Sequence, residues 1–156
     1  MRKKVLQAVA TISFVVAIGM AMVGSAHAQS LADPIKVNIP FDFQVADTKL
    51  PAGEYYVRRL PQTASDSVVM VSSVREGHRA VRLTNAVNTL SPKSKATLLF
   101  HRYGDQYFLF QVWPAGGETG RALPRSRSER EAQDKDFVGK LTNKGAVETV
   151  AVVSNQ

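Results

Sequence analysis

Two eight-residue runs, 96–103 and 106–113, are joined only by Gly104-Asp105, and this link constrains the fold more than any other feature of the chain. A two-residue loop with glycine in it makes a primed turn, whose twist suits two adjacent antiparallel strands. Counting back from the turn sets Phe100 opposite Leu109 and Leu98 opposite Gln111 on one face. On the other it sets Leu99 opposite Phe110 and His101 opposite Phe108. Apolar groups point both ways, so the hairpin is expected to be central and covered on both faces.

A second pattern begins earlier. Val37, Ile39, Phe41, Phe43 and Val45 alternate with Lys36, Asn38, Pro40, Asp42 and Gln44, the period of a strand with one buried and one wet face. Pro40 cannot donate to a ladder, which predicts an edge strand or a bulge there. Leu50-Pro51-Ala52-Gly53 reads as a turn into a strand over 54–60. Residues 61–67 form a polar loop; strands are expected over 68–74, 79–87 and 146–153. A short helix starts at Ser126 or Ser128, because Ser126 with Glu129 and Ser128 with Glu131 both have capping-box spacing. It carries almost no apolar stripe, so Leu123 and Phe137 at its ends are expected to hold it to the sheet. These elements predict a mainly β fold with one short helix in its C-terminal half. Seven or eight strands arranged as a small antiparallel barrel are expected, with a β-sandwich as the alternative.

The first 28 residues carry a different message. Arg2, Lys3 and Lys4 precede an apolar run from Val5 to Val23, and Ala26-His27-Ala28 supplies small residues where a signal peptidase reads. Residues 1–28 are expected to be a signal peptide cleaved after Ala28, leaving a single β domain over 29–156 in the periplasm or the medium. The run is 19 residues long, so a retained transmembrane anchor is the competing reading. After cleavage no membrane span is expected. The chain has no cysteine, which excludes thiol catalysis, cysteine-ligated zinc and disulfide staples. Three of its 20 basic residues belong to the leader and all 13 acids follow it, so the processed charge is +4 rather than +7. That balance lacks the dense basic stripe of a nucleic-acid binder, and no nucleic-acid partner is expected.

The motifs Val37-Asn-Ile-Pro-Phe-Asp-Phe-Gln-Val45, Leu50-Pro-Ala-Gly-Glu-Tyr-Tyr-Val57, Arg102-Tyr-Gly-Asp-Gln-Tyr-Phe-Leu109 and Ser126-Arg-Ser-Glu-Arg-Glu131 together span most of the processed chain. In this combination the chain resembles an uncharacterised group of short exported bacterial β-rich proteins. The resemblance implies a compact β fold and export. It implies no activity, ligand or catalytic residue.

Arg121, Arg125, Arg127 and Arg130 cluster near the expected helix start, where outward N–H groups and guanidinium forks suit a carboxylate, phosphate or acidic sugar. The alternative is structural, with Arg127 and Arg130 engaged by Glu131 and Asp134. His78 and His101 are the histidines beyond the leader, and neither has a second ligand at strand or helix spacing, so no metal site is expected. Tyr107 and Trp113 share a face in the expected register, about 20 Å apart, which suits an extended chain rather than one sugar ring. No nucleophile elbow, phosphate loop or H-E-x-x-H is present, so neither catalytic residues nor a cofactor are expected. The composition favours an exported, non-enzymatic β domain for binding, envelope structure or interaction, with an unidentified envelope or extracellular partner. A barrel carrying a small apolar molecule is the first alternative. A hydrolase of wall or extracellular polymer, using Asp42 and Asp105, is the second.

Overall fold

The computed structural model describes residues 34–60, 68–139 and 147–154. The leader and the expected loop at 61–67 lie outside those residues. The elements are β1 (Ile35–Ile39), β2 (Phe43–Val45), β3 (Thr48–Leu50), β4 (Gly53–Arg59), β5 (Val68–Ser73), β6 (Arg79–Leu83) and β7 (Asn85–Asn88). They continue with β8 (Thr97–Tyr103), β9 (Gln106–Trp113), β10 (Thr119–Ala122), helix α1 (Arg127–Gly139) and β11 (Glu148–Val153).

Eleven strands among the described residues exceed the expected seven or eight. The extra ones are short: three residues each in β2 and β3, four each in β7 and β10. Stretches that brief show too little alternation to register in sequence.

One sheet has four strands in the order β1-β4-β5-β6. The other runs β11-β8-β9-β10-β7, with β2 joining β9 in parallel and β3 joining β2. Among the described residues the fold is therefore mainly β with one helix, and the two sheets do not close into a barrel. β1 pairs with β4 and β11 with β8; β1 and β11 approach each other without a ladder between them.

The alternation from Val37 to Val45 predicts burial well, since Val37, Ile39, Phe43 and Val45 are all buried. It misses that the run crosses between sheets. Pro40 lacks an N–H, the ladder stops there, and Phe43 resumes pairing in the larger sheet. β1 is accordingly an edge strand. The corner is fixed by two hydrogen bonds: Ala52 N–H donates to Asp42 Oδ1 at 2.8 Å, and the Tyr55 hydroxyl donates to Pro51 O at 2.7 Å.

The main core lies between the sheets. Val37, Ile39, Tyr55, Val57 and Val71 from the smaller sheet share one cluster with Phe43, Leu98, Phe100, Leu109 and Val112 from the larger. Phe43 meets Tyr55 and Phe100 edge-on at 5.0 and 5.6 Å, the arrangement aromatic quadrupoles favour.

The β8–β9 hairpin forms as expected around Gly104-Asp105, with the positive φ of 58° on Gly104, the residue that tolerates it. Phe100 pairs with Leu109 and His101 with Phe108. Beyond that the register slips. Leu99 faces Gln111 and Leu98 faces Val112, so Phe110 is the extra residue of a β-bulge. As expected, both faces are covered. The inner face joins the main core, while Tyr103 and Phe108 on the outer face pack with Ala132 of α1. The helix is not held through Phe137, which is 68% exposed; Glu129 and Ala132 turn inward instead. Leu123, before the helix, is buried as expected.

Candidate functional site

The helix start is built from three segments. Ser126 caps it, its Oγ accepting the Glu129 N–H at 3.1 Å, which is half of the expected capping box. The other half is absent, because the Glu129 carboxylate turns to the sheet. Ser128 N–H donates to Asp47 Oδ1 at 3.1 Å, and Ser128 Oγ donates to the same atom at 2.9 Å. Asp47 arrives on the tight β2–β3 turn, where Ala46 adopts a left-handed φ of 56°, uncommon for a residue with a side chain. The Ser128 backbone bond, then its side-chain bond, holds the Asp47 carboxyl below its ordinary pKa of 3.8. The Ser128 N–H at this helix start is thus occupied by a carboxylate of the same chain.

The four arginines do not converge on one point. Arg127 donates to Glu131 at 2.8 Å, the i,i+4 pair that was the structural alternative. Arg125 donates to Gln133 Oε1 at 2.9 Å, with its Nε 3.8 Å from Glu129. Arg121 sits in β10 between Ala86 and Val112, and Arg130 is exposed on the helix.

Beneath the helix lies a polar pair that sequence spacing does not show. His101 Nδ1–H donates to Glu129 Oε1 at 2.7 Å, with the carboxylate side chain only 4% exposed. The bulge residue Phe110 lies flat on the imidazole, centroids 3.6 Å apart at 12°. The Tyr103 hydroxyl is buried beside them without a hydrogen-bond partner. Burial first, then the Glu129 charge, raises its pKa above 10.0. A carboxylate orienting an imidazole is two-thirds of a hydrolytic relay. The serine hydroxyls at the helix start are engaged elsewhere, Ser126 with Ser128 at 3.0 Å and Ser128 with Asp47. The geometry is that of a latch joining α1 to β8.

His78 is exposed in its turn, with Nε2 3.6 Å from the Glu76 carboxylate. Among the described residues no three His, Asp or Glu side chains gather as a metal site. The bulge also overturns the shared face of Tyr107 and Trp113. Tyr107 packs on the main core, while Trp113 faces away from neighbouring core residue Val112 and donates to Gln111 at 3.1 Å. The Tyr107 ring is already stacked on Phe41 at 4.0 Å, with the Arg102 guanidinium 5.6 Å from its centroid.

Two of the surface depressions among the described residues bring polar side chains together. One of about 320 Å³ brings Asp42 and Asp105 to a common rim with Gln44, Lys49, Gln106 and Tyr107. Gln44 is buried there and donates to Gln106 Oε1 at 3.3 Å. The other, of about 270 Å³, lies by Asn38, Glu54, Tyr55, Ser73 and Arg75. Among the described residues no helix is long and apolar enough to cross a membrane. Compared with known protein families, curated proteins and solved structures, the chain finds no match.

Proposed function

We propose that this chain is an exported, non-enzymatic β domain that works by contact through its outer surface, its two sheets packed as a sandwich. Its role is binding, envelope structure or interaction, in the periplasm or the medium. The observation that carries this reading is the filled interior. Phe43, Tyr55, Phe100 and Leu98 are among its most deeply buried side chains, all in one cluster between the sheets. A carrier of an apolar molecule needs a hollow there. The leader pattern of Arg2 to Ala28 supports export. Native mass spectrometry of the exported protein and displacement of a fluorescent fatty acid test the reading. A bare mass and a silent probe are expected; a stoichiometric apolar passenger would end it.

A second reading has one observation in its favour, the common rim of Asp42 and Asp105. Paired carboxylates can cleave glycosidic bonds. Asp42 also holds the Ala52 corner, so Asp105→Asn is the cleaner test. Loss of a wall-polymer hydrolysis in that variant, with unchanged melting, would favour the enzyme. The Arg121, Arg125, Arg127 and Arg130 anion site belongs with these proposals, and replacing Arg121 and Arg125 by glutamine tests it through binding of an acidic polysaccharide.

A further inference from the structure

We propose that the outer face of the four-stranded sheet docks on an anionic lipid surface, a partner that gives content to the surface-contact role on which this inference rests. Register lays that face out as a grid. One row runs Lys36, Tyr56, Ser72, Arg79 across all four strands; the next runs Arg58, Met70, Val81; the last sets Val68 beside Leu83. The inner rows of the same strands fill the core, so these rows lie on the outer face, where Val68 alone is buried.

Three apolar members of this face are exposed. Val81 is 53% and Leu83 65% exposed, on the terminal strand of the sheet, and Tyr56 is 37% exposed nearer the middle. A cross-strand pair joins Met70 to Val81, so they form a continuous strip rather than scattered contacts. Around the strip the charge is positive: Lys36, Arg58 and Arg79 against Glu54, which already pairs with Lys36 at 3.4 Å. Arg58 and Arg79 are both exposed and stand on either side of the Met70–Val81 strip.

That arrangement selects among occupants. A second copy seated symmetrically would bring the same cations to one interface, with Glu54 alone to offset them. An anionic bilayer meets both needs at once. Its headgroups neutralise Arg58 and Arg79, each worth about 1 kcal/mol near such a surface, while Val81 and Leu83 reach the acyl boundary. Tyr56 has the amphipathic ring suited to that depth.

Flotation of the exported protein, its processed N-terminus read by mass spectrometry, tests this. Vesicles of equal parts phosphatidylglycerol and phosphatidylcholine are expected to carry it up the gradient at low salt, and phosphatidylcholine alone is not. Val81→Ser with Leu83→Ser should weaken binding about tenfold. Arg58→Gln with Arg79→Gln should weaken it about thirtyfold and flatten its salt dependence. Unchanged thermal melting shows that the variants fold. Wild-type protein that stays down, or variants that float equally, overturns the proposal. So does loss of a dimer in the Val81/Leu83 variant by sedimentation, which assigns the face to a second copy. Failed flotation with a silent fatty-acid probe would remove the lipid partner alone; a bound passenger would remove the surface-contact reading itself.

Discussion

The two sheets treat their outer faces in opposite ways. The larger sheet covers Tyr103 and Phe108 with α1 and buries a His101–Glu129 pair under it. The smaller sheet leaves Val81 and Leu83 in solvent with arginines around them. Leu90, Phe137 and Val153 are exposed as well, but Val81 and Leu83 lie two apart on one strand and point to the same face. Over the β8–β9 hairpin the covering helix reaches down to a buried carboxylate; over the smaller sheet no described element plays that part.

Substitutions at four positions sharpen this contrast, in descending order of effect. Phe108→Ala opens a cavity under the helix and should cost about 4 kcal/mol by denaturant unfolding. Glu129→Ala leaves the His101 N–H buried without its acceptor and should cost about 3 kcal/mol, whereas Glu129→Gln keeps an acceptor and should lose less than half of that. Equal losses for the two would mean that packing, rather than the polar pair, holds α1.

Asp47→Asn acts at the helix start and should show mainly in acid. A carboxyl whose folded pKa is depressed stabilises the fold above its ordinary value of 3.8, and that contribution disappears as pH falls through the lower folded value. The variant should therefore lose less stability than the wild type between neutral pH and the acid limb. Parallel acid curves would show that the Asp47–Ser128 bonds contribute nothing through charge. Leu83→Thr, on the bare face, should change stability by less than about 0.5 kcal/mol. A larger loss would show that the strip is covered by the chain itself.

Local spacing made the hairpin, the corner at Pro51 and the Ser126 cap legible, because each is decided within a few residues. The register failed between Phe100 and Leu99, where Phe110 bulges out opposite; an added strand residue has no compositional sign. Trp113 was placed on the face of Tyr107 for want of that same residue. The helix anchor was misread for another reason. Phe137 has the apolar chemistry of an anchor, yet Glu129 takes the inward position because His101 waits there to donate. Neither partner announces the other across 28 residues, nor does Asp47 announce Ser128. The rim shared by Asp42 and Asp105 is equally a product of topology, with β2 laid beside β9.

The Asp47–Ser128 tie has a kinetic corollary. It spans 81 positions, so the helix, although Ser126 caps it locally, cannot be tied down at its start until a turn made near the other end of the domain is in place. Closing so long a loop is an entropic barrier met before any reward, and chains rich in such distant contacts fold slowly. This polypeptide should stay open until most of it has been synthesised, then close in one late, cooperative step.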